Sequence, residues 1–213
     1  MSRIAVITGA AAGTGRATLE AFAAAGWEAI GLDPQLAEDL PDGARIERVD
    51  VSAPEQVETY FAELWVSHQQ LHALVNNSAI PLDKPLVENT PAEWDAVQAA
   101  NLRSVYLACR SAFPLLKAAR GAIINVSSSH AIATSINVAA HAASKGGMLA
   151  LTRAMALEFG TYGVRVNAVQ GRVDWPEEIA RAILFLADEH RASFITGQVL
   201  VVDGGGTARL STE

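Results

Sequence analysis

Short β-branched runs alternate with longer helical patterns along almost the whole chain, and this alternation limits the fold more than any other feature. "RIAVIT" (3–8), "EAIGLD" (28–33), "RIERVD" (45–50), "LHALVN" (71–76), "GAIINV" (121–126), "GVRVNAV" (163–169) and "QVLVVD" (198–203) read as strands. Between them "GRATLEAFAAAG", "PEQVETYFAELWVSH", "PAEWDAVQAANLRSVYLACRSAFPLLKAA", "AASKGGMLALTRAMALEFG" and "PEEIARAILFLADEH" read as helices. Strands separated by helices pair in parallel, through right-handed crossovers that lay helices on both faces of the sheet. The pattern predicts one α/β domain over residues 1–213, a doubly wound parallel sheet of about seven strands. "SAPEQV" and "NTPAEW" mark two helix starts: a cap candidate, a proline in the first turn, then a glutamate.

"TGAAAGTG", Thr8 to Gly15, follows the first strand and opens the first helix, the context of the Rossmann dinucleotide loop. Glycine suits the tight turn at Gly9, close approach of backbone to a pyrophosphate at Gly13, and helix–sheet packing at Gly15. With Thr14, these residues present the helix N-terminus, whose unpaired N–H groups and partial positive charge favour phosphate. Asp33 ends the second strand at the distance expected of an acid on the adenine ribose. A carboxylate there accepts from ribose hydroxyls and repels a 2′-phosphate, and neither Ala12 nor Pro34 supplies a cation. NAD is therefore expected over NADP.

Composition agrees with a buried sheet: 50% of the residues are hydrophobic and 18% charged. A net charge of −7 gives no electrostatic reason to expect nucleic acid. The single cysteine, Cys109, excludes an internal disulfide and suits a reducing cytosol. "MSRIAVITG" enters a strand at once, with no room for a signal peptide, and no apolar run reaches spanning length. A cytoplasmic protein without membrane contact is expected. No His, Cys, Asp and Glu grouping has metal-ligand spacing, so no metal is predicted.

Read as a whole, the chain closely resembles the short-chain dehydrogenase/reductase family. "DVS" (50–52) is similar to the family's adenine-pocket Asp-Val, carried here by Asp50 and Val51. "NNSA" (76–79), containing Asn77, is similar to its Asn-Asn-Ala-Gly. "IINVSSS" precedes the site helix, and "FITGQVLVVDGG" resembles the family's last strand. The resemblance implies hydride transfer between a nicotinamide (NAD or NADH) and a small secondary alcohol or ketone. It also implies a four-part site, in which Asn101 matches an asparagine that holds a relay water. Ser128 matches the serine on the reacting oxygen, and Lys145 matches the lysine that holds the nicotinamide ribose. A homodimer or homotetramer, paired through the two long helices after the fourth and fifth strands, is implied as well.

Three departures stand out, the smallest being Ala79 in place of the last glycine of Asn-Asn-Ala-Gly. Where the family carries Pro-Gly, a threonine segment and a helical substrate lid, Gln170 runs directly into "GRVDWPEEIARAILFLADEH". Either the protein lacks its lid or the sequence as written skips it; Gly171 aligns with either flank. The third departure is His141, which stands four residues before Lys145 in "HAASKGG", where the family places the catalytic tyrosine.

A histidine at that position starts from a pKa of roughly 6.5, and the neighbouring lysine lowers it. Neutral at pH 7, it is a poor acid toward a ketone and a plausible base toward an alcohol. Its nitrogen also ends roughly 2 Å nearer the backbone than a phenol oxygen, and a misplacement of about 1 Å costs on the order of 100-fold. Tyr60, Tyr106 and Tyr162 lie at spacings that do not meet Lys145, and His130, a rim residue two positions after Ser128, reads as a solvated loop residue or else a substitute acid. Two functions follow: an NAD-dependent oxidoreductase impaired at His141, or a catalytically silent NAD-binding protein acting in sensing or assembly. A tyrosine-to-histidine laboratory variant would read the same.

Overall fold

The computed structural model describes residues 3–171 and 175–208. Seven parallel strands form one sheet in the order β3-β2-β1-β4-β5-β6-β7. They are β1 (Ile4–Thr8), β2 (Glu28–Asp33), β3 (Ala44–Arg48), β4 (Ala73–Asn76), β5 (Ala122–Ser128), β6 (Arg165–Gly171) and β7 (Val199–Val202). The helices are α1 (Gly13–Ala24), α2 (Pro54–His68), α3 (Pro91–Gln98), α4 (Ser104–Ala119), α5 (Ala139–Gly160) and α6 (Pro176–Ala187). The doubly wound sheet predicted from the alternation is therefore present. Strand order reverses between β1 and β4, which opens a crevice at the carboxyl ends of those strands.

Two apolar layers hold the helices to the sheet. Successive strand residues point to opposite faces, so Ile4 and Val6 pack with α2, α4 and α5 while Ala5 and Ile7 pack with α1 and α6. A buried polar chain adds register to this packing. Asn76 Nδ2 donates to Asn125 Oδ1, Asn125 Nδ2 to Thr152 Oγ1, and Thr152 Oγ1 to the Met148 carbonyl, each at 2.8 Å. With every donor and acceptor in the interior needing a partner, this chain pins α5 over β4 and β5.

Several boundaries differ from the sequence reading. β3 stops at Arg48, two residues early, and β6 runs on to Gly171, where it pairs with Val202. A Cβ on Gly171 would overlap Ile179 Cδ1, so glycine there lets α6 pack against the end of β6. The helix expected across 91–119 is interrupted by a π-helical turn, Ala99–Arg103, that contains Asn101. Thr90 forms a capping box with Glu93, as the pattern suggested. Ser52 does not cap α2; Ala53 holds the cap position, and the Ser52 hydroxyl donates to Asp50 Oδ1 at 2.7 Å. Cys109 is buried, and burial pushes its thiol up to about 12.

β6 and α6 are joined by residues 172–175, of which 172–174, at the point where the lid was expected to be missing, lie outside the described residues. Among the described residues no helix is long and apolar enough to cross a membrane.

Candidate active site

The loop from β1 into α1 takes the shape a dinucleotide requires. Gly9 and Gly13 adopt positive φ, 67° and 55°, where a side chain is strained. A Cβ on Gly15 would collide with the Gly9 carbonyl oxygen, whereas one on Gly13 would enter open space. Gly15 thus serves internal packing, and Gly13 faces outward, where a phosphate could approach. Ala12 caps α1 without a side-chain hydrogen bond, so the first-turn N–H groups, including that of Thr14, are left for another acceptor. This uncapped N-terminus beside an open glycine fits the pyrophosphate of a nicotinamide dinucleotide.

The other expected cofactor residues surround this loop. Asp33 ends β2, with Oδ2 accepting from the Ala11 N–H at 3.1 Å and Oδ1 from the Gln35 N–H at 2.9 Å. These bonds aim the carboxylate across the loop and leave further lone pairs for hydroxyl donors. Asp50 Oδ1 accepts from the Ser52 N–H and hydroxyl, and Val51 is buried in the core beside it. Asn77 turns inward: its Nδ2 donates to the Thr8 and Gly9 carbonyls at 3.1 and 3.0 Å. Its side chain therefore braces the glycine loop from below. Arg16, not singled out in the sequence, reaches from α1 to the Glu38 and Asp39 carbonyls and pairs with Glu20. Its guanidinium is thereby occupied by these partners.

Further along the rim, at the β5 and β6 ends, lies a cavity of about 570 Å³. Ser128, His130, His141 and Gly171 line it, with Leu82 and Thr207 opposite, and none of its lining residues is a tyrosine. Tyr60 is buried against Phe61, while Tyr106 and Tyr162 are exposed elsewhere. Ser128 ends β5, and its Oγ accepts from the His130 N–H at 3.3 Å. The His130 and His141 rings meet edge to face, with centroids 5.9 Å apart.

Lys145 sits one helical turn after His141 and is buried at 3% exposure. Its Nζ donates to the Val126 carbonyl at 2.8 Å, and its own carbonyl accepts from Ser127 Oγ at 3.2 Å. Burial lowers the ammonium to about 8. His141 is held below the ordinary imidazole range by burial first, then by the Lys145 charge and by His130, with the Ile80 backbone opposing them. The ring is consequently neutral at pH 7. Asn101 is buried against Ile80, its Oδ1 accepting from the Ile80 N–H at 2.7 Å and its Nδ2 donating to the Ile80 carbonyl at 3.0 Å. π-turns concentrate at functional sites because they redirect one residue out of helical register, and this one brings Asn101 to His141.

Four expected residues thus share one neighbourhood: Ser128 and His141 on the cavity, Lys145 and Asn101 packed behind them. Ser127, expected on the rim, ties β5 to α5 through the Lys145 carbonyl, whereas sequence reading missed Asn125 and Thr152, which also place α5. The available signals were Asn125, a polar residue in a strand buried on both faces, and Thr152, a polar residue on the buried side of α5. Among the described residues no group of three or more His, Cys, Asp or Glu could hold a metal ion.

Comparison with known proteins adds the lineage. The short chain dehydrogenase family model matches residues 3–173, and that of enoyl-(acyl carrier protein) reductase matches 169–207. The 3-oxoacyl-[acyl-carrier-protein] reductase of Chlamydia trachomatis is 32% identical over 242 aligned residues, covering 96% of this chain and 97% of that protein. The 2-(R)-hydroxypropyl-CoM dehydrogenase of Xanthobacter autotrophicus is 32% identical, covering 98% and 100%. Among solved structures, an oxidoreductase from Brucella ovis in complex with a partially ordered NAD superimposes with a TM-score of 0.87. It is 34% identical, with 95% of this chain and 100% of that one covered. With the glycine loop, the reversal between β1 and β4, and Ser128 and Lys145 at one rim, these matches make the chain a member of the short-chain dehydrogenase/reductase family of oxidoreductases.

Proposed function

We propose that this protein transfers a hydride between NAD(H) and a small secondary alcohol or ketone, at a site where His141 stands in for the family's phenol. When bound, the dinucleotide supplies the hydride acceptor or donor. Gly13 and the first turn of α1 hold its pyrophosphate, Asp33 its adenine ribose, Asp50 and Val51 its adenine, and Lys145 its nicotinamide ribose. Lys145 gives one hydrogen to Val126 and has two more for ribose hydroxyls. Asp33 at the end of β2, with Arg16 already bonded to Glu20, Glu38 and Asp39, supports NAD over NADP. Ser128 and His141 hydrogen-bond the reacting oxygen, stabilising the charge that develops there.

The observation that carries this reading is Ser128 and His141 on one cavity, with buried Lys145 one turn behind, on the same rim as the glycine loop. We further infer that the protein works without the family's substrate lid. The Chlamydia alignment spans 242 residues against the 213 of this chain, and β6 passes to α6 through residues 172–175 alone. A site that admits water leaves general acid–base help weak, and such help is typically worth ~100- to 10,000-fold. Turnover is accordingly slow. Symmetric pairing through α4 and α5 is also proposed, supported by exposed Tyr106 and Leu157 on those helices.

Turnover of NADH and NADPH with a panel of secondary alcohols and ketones, in both directions, tests the reading. Hydride transfer with NAD(H) preferred supports it. Tight NADH binding with no transfer to or from any substrate, in this protein or in His141→Tyr, overturns it in favour of a silent nucleotide-binding protein.

A further inference from the structure

The amide of Asn101 has only one orientation. The Ile80 N–H meets Oδ1 at 2.7 Å and the Ile80 carbonyl meets Nδ2 at 3.0 Å, so exchanging the two ends would oppose like groups at both contacts. Nδ2 is therefore a donor, with one hydrogen given to Ile80. The other has two acceptors within reach: Ser144 Oγ at 3.2 Å and His141 Nδ1 at 3.4 Å. Ser144 gives its own hydrogen to the His141 carbonyl at 2.7 Å, which leaves its oxygen as acceptor.

A hydrogen on His141 Nδ1 would confront the Asn101 NH2 group donor to donor. Its alternative acceptor is the Ile80 carbonyl, whose backbone lies near enough to favour the charged ring. That carbonyl already accepts from Asn101 Nδ2 at 3.0 Å, so an Nδ1–H would have to share it while still facing the amide donor at 3.4 Å. Nε2, on the opposite edge of the imidazole, lies away from buried Asn101, toward the cavity that His141 lines with Ser128.

We propose that Asn101 is a positioning residue that holds neutral His141 as its Nε2–H tautomer, so that the ring meets the substrate oxygen as a hydrogen-bond donor and not as a base. This rests on the reading of His141 as the group beside the reacting oxygen. It reverses the expectation drawn from acidity alone, in which a neutral imidazole favours alcohol oxidation. An Nε2–H matches a carbonyl oxygen, which only accepts, and cannot take the hydrogen of an alcohol. The site is therefore built for the carbonyl form of its substrate.

Long-range nitrogen–proton correlation spectra of histidine-labelled protein, recorded with the rings neutral, read the tautomer directly. Five histidines are present, and His141→Gln identifies the signals of His141. The wild-type ring should show an unprotonated Nδ1 and a protonated Nε2. In Asn101→Asp a carboxylate offers itself to Nδ1–H, and in Asn101→Leu the opposing amide donor is removed, leaving the Ile80 carbonyl unshared. Both variants should shift the tautomer ratio toward Nδ1–H by about tenfold, the weight of one hydrogen bond. Ser144→Ala, which removes only the competing acceptor, should keep Nε2–H. A wild-type ring carrying Nδ1–H or an even mixture overturns the proposal, as does a ring that stays Nε2–H in whichever Asn101 variant folds. These spectra do not depend on turnover, so an inactive protein with the expected tautomer would count against the proposed reaction alone.

Discussion

The β1, β2 and β4 ends of the sheet and the β5 and β6 ends lie on one rim but differ in how far they keep the family's parts. At the first, the glycines, Asp33 and the Asn77 brace are all present and mutually bonded. At the second, Ser128, Asn101 and Lys145 stand together, His141 holds the position proposed for the family's phenol, and the connection to α6 is short. The cofactor end is built mainly from backbone, which tolerates no change of register. The substrate end is built from side chains, each of which can change while the sheet stays intact. On the function proposed above, a protein can keep its nucleotide while its proton chemistry drifts.

Substitutions in the glycine loop should separate folding from binding most sharply. Gly15→Val drives a side chain into the Gly9 carbonyl and should cost on the order of 3 kcal/mol of stability, seen as a large fall in Tm. Gly13→Ala, with open space around the new methyl, should cost about 1 kcal/mol through its positive φ. It should nevertheless weaken NADH binding at least ~10-fold by fluorescence titration. Equal effects of the two substitutions on Tm would break the division of labour argued for the loop.

Lys145→Met probes the other end. In the folded protein the ammonium titrates at about 8 instead of its ordinary 10.5, so folding opposes its charge. At pH 7 the methionine variant should be more stable by about 3 kcal/mol, less the lost bond to Val126. Between about pH 8 and 10.5 the unfolded chain binds more protons than the folded one, so wild-type stability rises with pH and the gap should close. Denaturant melts across that range, with no cofactor present, check the sign.

A smaller effect is expected at Asp33. Asp33→Ala removes acceptors for ribose hydroxyls and should weaken NADH binding by about 10-fold while leaving NADPH little changed. Parallel titrations with the two nucleotides read that ratio.

The smallest effect is on pH. Burial, Lys145 and His130 all hold His141 below 6.5, and only the charged ring has a proton to give. The charged fraction grows as pH falls through that lowered value. Ketone reduction should therefore quicken modestly from about pH 7 toward pH 5, and alcohol oxidation, its microscopic reverse, should slow over the same range. Profiles of kcat/KM in both directions make the comparison.

Much of the cofactor end was legible from residue order, because a strand, three spaced glycines and an acid are local patterns with local causes. The strands were legible for the same reason, through runs of valine and isoleucine. The π-turn at Asn101 was not. "AANLRS" continues a helical pattern, and the extra residue is accommodated only where Ile80 and Ser144 come from other parts of the chain. Ser52 read as a helix cap because serine before proline usually is one, but here Asp50 captures its hydroxyl. Gly171 carried no readable role, since its reason for being glycine is a contact with Ile179 across the β6–α6 packing. Tertiary partners decided each of these, and sequence spacing does not record them.

Hydride transfer from NADH to a panel of small ketones, by this protein and by His141→Tyr side by side, tests the central claim most directly. We predict slow turnover by the histidine form and a rate higher by about 100-fold in the tyrosine form, because the phenol restores both reach and acidity to an otherwise intact site. A tyrosine form no faster than the histidine form, with NADH bound equally by both, would contradict the assignment of His141 to the proton position.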